Sequence, residues 1–184
     1  GSVSGPLSGS LNQGLSGWWP FNGNANDESG NGNNGTISSG VSLTIDRNSI
    51  PNTALNFNGS GYVPIPSNPI SGNQSFTVSA WIKTSTTGTR KGIIGLGSLS
   101  ASQALWLYVS EQNKLKFDLS EVGGPQGNMI ITDNQWHHVL VTHNQGVVTL
   151  FTDGTQDGAS MVMSPNINSV GTVKQLGANI YSSS

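Results

Sequence analysis

Short segments in which apolar and polar residues alternate recur along the chain, with stretches rich in Gly, Asn and Pro between them. Alternation with a period of two is typical of half-buried β-strands, and no stretch sustains a helical periodicity. The pattern therefore predicts an all-β fold of short antiparallel strands, arranged as a sandwich or a barrel. The predicted strands are 16–21, 54–57, 61–65, 75–84, 92–97, 103–110, 114–119, 128–132, 135–143, 146–153 and 174–179.

Strand alternation also assigns side chains to the core or to the surface. On the segment 75–84, the face predicted to enter the core consists of Phe76, Val78, Ala80 and Ile82. Trp81 points away from that face. On the segment 103–110, one face carries Leu105, Leu107 and Val109, and the other carries Ala104, Trp106 and Tyr108. Two strands are thus expected to present aromatic rings on the side that does not face the core.

Two turn signals support this interpretation. Asn144-Gln145-Gly146 and Asp153-Gly154 each follow a predicted strand, and these residue types tolerate the positive φ angles of tight hairpin turns. We therefore predict a β-hairpin at each position.

Composition narrows the functional classes. The chain has 184 residues, with 7 basic and 9 acidic side chains and a formal net charge of -2, so it offers no basic field for a nucleic acid. The absence of cysteine excludes disulfides, thiolate metal sites and a cysteine nucleophile. No apolar run is long enough to span a membrane. Five tryptophans and repeated Val, Ile and Leu argue for a packed β domain rather than disorder.

The chain divides into two parts by composition. Residues 1–15 are rich in Gly and Ser without periodicity and are predicted to form a flexible linker. Residues 16–184 are predicted to form a single β domain.

Five sequence blocks occur in an order that resembles one family. They are GLSGWWPFNGNANDESGNGNNGT (14–36), ALNFNGSGYVPIP (54–66), FTVSAWIKT (76–84), LWLYVSEQNKLKFDL (105–119) and WHHVLVTHNQGVVTLFTDG (136–154). Together they are similar to laminin G-like domains of the concanavalin A-like lectin/glucanase superfamily, over about residues 14–181. The resemblance implies a two-sheet jelly roll of antiparallel strands in a secreted or cell-surface protein. It also implies an association with calcium and with glycan or protein binding.

The end of the chain departs from the family pattern. Such domains usually continue past a QLGAN-like strand into a closing strand beside the first strand, whereas this sequence stops at Ser184. We therefore expect a truncated domain whose strand at 17–21 lacks a neighbour. Open strand edges promote pairing with another chain, so a complementary C-terminal β-strand peptide is an expected partner. The other candidates for that place are a strand swapped from a second copy and the segment 3–11.

The loop 22–35 is the most suggestive stretch for a metal ion. Ca²⁺ takes roughly six to eight oxygen ligands, which a loop rich in Gly, Asn and Asp can supply. The candidate ligands are Asp27 first, with Asn24 and Asn33. The EF-hand spacing is absent. The alternative is a series of turns with Asx hydrogen bonds, and the family resemblance favours calcium over that alternative.

An enzymatic function is not expected. A glycosidase needs two carboxylates that face the scissile bond, and no predicted strand carries such a pair at alternating positions. There is no G-x-S-x-G elbow for a serine nucleophile. On the segment 135–143, His137 and His143 share a face and His138 lies opposite, so the three do not form one cluster, and structural roles are predicted for them.

Two binding functions remain. Sugars bind to flat aromatic faces, with amides on their hydroxyls, so the predicted glycan platform consists of Trp81, Gln103, Trp106 and Tyr108. The alternative for these rings is burial under a loop or a neighbouring strand. The second function is recognition of a surface protein, as in cell adhesion, through the open edge or the loop surface.

Overall fold

The computed structural model describes residues 13–177, and in this range the chain is all-β, as the alternation predicted. The strands are β1 (Val41–Thr44), β2 (Ala54–Phe57), β3 (Val63–Pro64), β4 (Phe76–Lys83), β5 (Lys91–Gly97), β6 (Ala104–Val109), β7 (Leu115–Leu119), β8 (Trp136–Asn144), β9 (Val147–Thr152), β10 (Thr155–Gln156), β11 (Met161–Val162) and β12 (Val173–Leu176). No helix that could span a membrane occurs within the described range. The predicted linker falls mainly on residues 1–12, which lie outside it.

The strands form two antiparallel sheets and a separate hairpin. The first sheet has the order β10-β9-β8-β4, with β11 also paired to β9, and the second has the order β3-β12-β5-β6-β7. β1 and β2 pair only with each other among the described strands. Every strand pairing is antiparallel, which confirms the predicted sandwich.

Both predicted hairpin turns are present. β8 and β9 are joined by Gln145 and Gly146, with φ angles of 48° and 82°. β9 and β10 are joined by Asp153 and Gly154, with φ angles of 51° and 79°. Two consecutive positive φ angles define the turn type whose twist matches that of paired strands.

The core lies between the sheets and follows the predicted alternation. Leu105, Leu107 and Val109 on β6 are at most 2% exposed, and they pack against residues of the opposite sheet. The residues that β8 and β9 contribute are Val139, Val141, Val148 and Leu150, each at most 1% exposed. Burial of such aliphatic side chains contributes about 1.5–3 kcal/mol each to the free energy of folding.

A second buried cluster lies on the outer side of the second sheet. Trp106 is paired with Gly95 on β5, and a β-carbon at Gly95 would overlap the indole ring. The ring therefore lies against the bare backbone of β5. Trp106 is 3% exposed, and it packs with Ala104, Tyr108 and the partly buried Val173.

The first sheet ends at β4. Among residues 13–177, β4 pairs with β8 and has no strand on its other edge. Its inward side chains Phe76, Val78, Ala80 and Ile82 are only half-buried, whereas Val139 and Val141 on β8 are both 0% exposed. The core is therefore less well covered at β4 than in the middle of the sheet.

Two predicted strands are corrected by the structure. The segment 16–21 forms no strand, because Phe21 has a φ of 58° and the backbone of Trp18 bonds to the following loop instead. The segment 128–132 also forms none. There the N–H groups of Asn128 and Met129 donate to the carboxylate of Asp157, at 2.5 and 3.0 Å, rather than to a neighbouring strand.

The packing of Trp106 on Gly95 predicts a strong effect on stability. We expect Trp106→Ala to lower the free energy of unfolding by about 3–5 kcal/mol, because the ring leaves a cavity in a packed cluster. Trp81→Ala, the same change at a ring that is 45% exposed, should cost less than about 1 kcal/mol. Urea unfolding followed by circular dichroism measures both. Equal losses in the two variants would contradict the packed position of Trp106.

Candidate ligand-binding site

The exposed aromatic ring on the first sheet is Trp81. It lies in the middle of β4 with its side chain outward, as its position in the alternation predicted, and it is 45% exposed. The strand register places it opposite His138 on β8. The two ring centroids are 5.2 Å apart with an angle of 42° between the planes. The cross-strand contact holds the indole in one orientation while leaving much of it open to solvent.

Arg47 contacts the same ring from another part of the fold. Its guanidinium carbon lies 4.7 Å from the centroid of the Trp81 ring, which is a cation–π distance. Arg47 sits in the loop between β1 and β2, beside Asp46, whose carboxylate accepts the N–H groups of Asn48 and Ile50 at 2.8 and 2.9 Å. The bond from Ile50 has the largest effect and lowers the pKa of Asp46; desolvation opposes it, and the bonds from Asn48 and Thr53 add to the lowering. This Asx turn fixes the loop from which Arg47 reaches Trp81.

The surroundings of Trp81 form a continuous face. The cross-strand partners Lys83 and Trp136 lie on one side of it, and Ser79 and Leu140 lie on the other. Phe151 on β9 continues the second row. Trp136, Leu140 and Phe151 are half-buried, while Lys83 and Ser79 are exposed. We call this surface, from Trp81, Lys83 and Ser79 to Trp136, His138, Leu140 and Phe151, the Trp81 face.

An aromatic surface bordered by polar groups suits an amphipathic ligand. Indole faces cover the C–H surface of a sugar ring, and neighbouring donors bind its hydroxyls. The polar groups beside Trp81 in the strand register and contacts are the guanidinium of Arg47, the ring of His138, the hydroxyl of Ser79 and the ammonium group of Lys83.

The predicted platform does not assemble as expected. Trp106 and Tyr108 belong to the other sheet and are 3% and 0% exposed, so the structure corrects their assignment as surface contacts. Tyr108 donates a hydrogen bond of 2.5 Å to Asp118, and Arg90 lies 5.5 Å from its ring centroid. Burial, together with the bond to Asp118, raises the pKa of the Tyr108 hydroxyl.

Gln103 is separated from Trp81 as well. It is half-buried and lines an open depression with Gly72, Asn166 and Asn168, next to the start of β6 in the second sheet. Its side-chain oxygen accepts a bond of 3.3 Å from Asn168. Of the four predicted glycan contacts, Trp81 is therefore the one that the structure exposes on an aromatic face.

The loop 22–35 is organised by Asp27. Its Oδ1 accepts the N–H groups of Trp18 and Ser29, and its Oδ2 accepts the N–H group of Asn33, each at 2.9 Å. Burial alone would raise the pKa of Asp27, but the bonds from Ser29, Trp18 and Asn33 outweigh it and hold the pKa below its usual value. The carboxylate is 8% exposed and ties the segment 16–21 to the loop.

The other two candidate calcium ligands also have hydrogen-bond partners, Asn33 outside the loop and Asn24 within it. Asn33 is 4% exposed, donates to the carbonyl of Ser16 at 3.1 Å and accepts the hydroxyl of Ser67. Asn24 is exposed, and its Oδ1 accepts the N–H group of Asn26 at 2.8 Å.

These oxygens do not form a ready-made calcium shell. Both oxygens of Asp27 face N–H groups, whose positive ends would oppose a cation at the same place. No group of three or more His, Asp or Glu side chains that could hold a metal ion occurs among residues 13–177. Asp27 and Asn33 are already hydrogen-bonded to protein groups, and calcium at this position stays a prediction.

The histidines of β8 lie on the faces that alternation predicted. His137 is 8% exposed and bridges two carboxylates, with Nδ1 at 2.7 Å from Asp153 and Nε2 at 3.0 Å from Asp133. Desolvation is the largest single effect and opposes the charged form, but the bonds to Asp153 and Asp133 and the charges of these two residues together outweigh it and raise the pKa of His137. His143 is 2% exposed and its Nδ1 lies 3.0 Å from the carbonyl oxygen of Gln74.

Sequence reasoning missed several members of the Trp81 face. Strand alternation could have identified His138 and Trp136, since both share the outward face of β8 with Leu140. No sequence pattern could have identified Arg47. Its contact with Trp81 joins residues that are distant in the chain, and it depends on a loop geometry that alternation does not describe.

Comparison with known proteins identifies a matching family and structures with a similar fold. A laminin G sequence model, described as the concanavalin A-like lectin/glucanases superfamily, matches residues 57–184. No curated protein matches the sequence. The structure is similar to domain 4 of AbnA, a GH43 extracellular arabinanase from Geobacillus stearothermophilus, in complex with arabinotriose. The TM-score is 0.69 at 22% identity, and the match covers 91% of this chain and 84% of that one.

A second similar structure is that of domains LG4-5 of the mouse laminin alpha1 chain. Here the TM-score is 0.52 at 13% identity, and the match covers 80% of this chain and 36% of that chain. At these identities both likenesses concern the fold.

The role of Asp27 can be measured without calcium. In excess chelator, we expect Asp27→Ala to lower the free energy of unfolding by about 2–3 kcal/mol, because three N–H groups lose a charged acceptor. Asp46→Ala removes a similar turn carboxylate in an exposed loop and should cost less. Since the folded pKa of Asp27 is lowered, its contribution is present above the unfolded pKa of about 3.9 and is lost as the pH falls through the folded value.

Thermal unfolding followed by circular dichroism measures the stability of both variants and also tests the calcium prediction. A calcium site at this loop requires a higher wild-type melting temperature on addition of calcium and loss of that response in Asp27→Ala.

The comparison with Asp46→Ala tests the structural role of the Asp27 carboxylate. A loss of stability in Asp27→Ala that is no larger than in Asp46→Ala would contradict that role.

Proposed function

Because the chain belongs to the laminin G-like family of the concanavalin A-like lectin/glucanase superfamily, we propose that it is a non-catalytic, extracellular carbohydrate-binding module. The proposed ligand site is the Trp81 face. The observation that carries the proposal is the exposed indole of Trp81, held by His138 and bordered by Arg47. A planar apolar surface of this kind matches the C–H face of a pyranose or furanose ring.

The position of the face also supports a polymeric ligand. It lies on the outer side of a sheet, and its aromatic members come from three adjacent strands. A surface that is open on its sides leaves a sugar chain free to extend beyond the contact.

The surroundings of the acidic residues support binding without catalysis. Asp133 and Asp153 approach each other around His137, which bonds to both of them through its two ring nitrogens. A glycosidase needs one carboxyl group to donate a proton and another to attack or activate water. Carboxylates that are held by an imidazolium between them are poorly placed for that chemistry.

One of the two neighbouring structures supports an extracellular glycan ligand. AbnA is an extracellular arabinanase, and its domain 4, which has the same fold as this chain, forms a complex with arabinotriose. We carry arabinotriose over as the first probe for this chain, since the fold alone does not select a sugar.

Removal of the exposed indole tests the function. We expect Trp81→Ala to weaken binding of the glycan ligand about tenfold or more, because a loss of about 1.4 kcal/mol corresponds to a factor of ten in affinity. Arabinotriose and a glycan array supply the ligands, and isothermal titration gives the affinities.

The matched control is Tyr62→Ala. Tyr62 is 42% exposed, close to the value for Trp81, but it lies next to β3 in the other sheet. Affinity should be unchanged in this variant. Equal affinities of wild type and Trp81→Ala, with both folded, would place the site elsewhere, and turnover of a polysaccharide by the pure chain would refute a non-catalytic role.

A second candidate function is the binding of an extended peptide by the free edge of β4. Its support is the half-burial of Phe76, Val78, Ala80 and Ile82 beside an edge that has no strand partner among residues 13–177. An added antiparallel strand with alternating apolar residues would pair with the backbone of β4 and cover these side chains. The function would then be recognition of a segment of a surface protein. The complementary closing strand was predicted beside residues 17–21, which form no strand, so its place would move to the edge of β4.

Hydrogen exchange tests the free edge. In an edge strand, only the amides that bond to the neighbouring strand are protected, so we expect alternate amides of Phe76–Lys83 to exchange fast in the monomer. An eight-residue peptide with apolar residues at alternate positions should protect the remaining amides. A peptide of the same composition in scrambled order is the control.

Protection of all amides of β4 in the isolated monomer would exclude this second function, because the edge would already be paired by the chain itself. Protection by the scrambled peptide would also count against it, since the alternating pattern would then not matter.

A further inference from the structure

Resting on the saccharide-binding function proposed above, we infer that the Trp81 face recognises acidic saccharides that carry uronate carboxylates, and that Arg47 determines this specificity. The geometry behind the inference is the guanidinium carbon of Arg47, 4.7 Å from the centroid of the Trp81 ring, beside the part of this ring that stays exposed.

The charge of Arg47 is not neutralised by an acidic partner. The ion pairs among residues 13–177 are Arg90–Glu111, Lys116–Asp118 and those of His137 with Asp133 and Asp153. Arg47 takes part in none of them, and its side chain is exposed. Its guanidinium carbon lies 4.7 Å from the centroid of the Trp81 ring, and no hydrogen bond within residues 13–177 occupies its N–H groups, which can donate to a ligand.

Asp46, the acidic residue next to Arg47 in the sequence, does not form an ion pair with it. Asp46 accepts the N–H groups of Asn48 and Ile50 and a bond of 3.2 Å from the side chain of Asn48. These bonds close the loop on itself. The loop thus presents a cation at its tip and keeps its own carboxylate occupied.

The other charged side chains near Trp81 also favour binding of an anionic ligand. Lys83 is exposed on the same face of β4, two positions from Trp81. Asp153 lies near His138, but its carboxylate bonds to the ring of His137 and to the N–H group of His138. The cations of the face are therefore available to a ligand, whereas this carboxylate is already bonded.

A uronate fits the arrangement better than a neutral sugar. Its carboxylate is attached to the sugar ring, so a ring on the open part of Trp81 brings the anion beside the guanidinium. The fork of donors in arginine matches the two oxygens of a planar carboxylate, and such charge-assisted bonds are stronger than bonds to a hydroxyl. A neutral sugar that displaced Arg47 would lose the cation–π contact without replacing it.

The experiment compares acids with their esters. Oligogalacturonate and alginate oligosaccharides are titrated into the full chain, each alongside its methyl ester, which has the same ring without the charge. Arabinotriose and a sulfated dextran oligosaccharide are the other probes. We expect the acids to bind at least about tenfold more tightly than the esters, and the difference to shrink as salt is raised.

The variants separate Arg47 from a general effect of charge. Arg47→Gln should remove most of the preference for acid over ester. Lys114→Gln removes one positive charge beside β7 in the other sheet and should preserve the preference. Arg47→Lys should retain part of it, because the charge remains and the planar fork is lost.

Three kinds of result would contradict the inference or the proposed function. Equal binding of acid and ester, or a preference that survives Arg47→Gln, overturns the inference, and so does binding of sulfated dextran without binding of any uronate. Binding of arabinotriose alone, with loss in Trp81→Ala, overturns the acidic specificity and leaves the proposed function intact. Absence of binding to every probe and to the glycan array would overturn both.

Discussion

The antiparallel pairing of β4 with β8 is the contact on which both the core and the candidate site depend. Its register joins Val78 to Val141 on the inside and Trp81 to His138 on the outside. Because side chains alternate with a period of two, a slip of one residue would move Trp81 into the core and Val78 to the surface. The β4–β8 pairing therefore places the core residues on one side of the sheet and the Trp81 face on the other. A change of register would alter the core and the Trp81 face together.

Much of this arrangement could be predicted from alternation. The inward face of β6, the outward position of Trp81 and the two tight hairpins all follow from local rules on side-chain parity and turn residues. The burial of Trp106 does not follow from them. Parity gives the face on which a ring lies, whereas its exposure depends on what lies beside it, here the bare backbone of Gly95 and a packed neighbour on β12.

The loop around Asp27 shows why composition does not separate a metal site from a network of turns. Both need carboxylate and amide oxygens held close together by flexible backbone. The difference lies in what faces the oxygens, since N–H groups stabilise a carboxylate by themselves and leave less need for a cation. The bond from Ser29 to Asp27 is a local Asx turn, whereas the bonds from Trp18 and Asn33 join residues nine and six positions away, which no local pattern predicts. The same contacts draw the segment 16–21 out of the extended form that its sequence favoured.

The position of Trp81 on an edge strand links the two proposed functions physically. Strands in a sheet lie about 4.8 Å apart, and opposite side chains approach to about 4.5–5.5 Å. A peptide paired along β4 would place an outward side chain directly beside Trp81, on the side away from His138. Arg47 reaches the ring from the β1–β2 loop, so an incoming side chain would either pack beside it or displace it. The chemistry of a bound strand would thus alter the ligand site, whereas removal of Trp81 would leave the backbone groups of the edge unchanged.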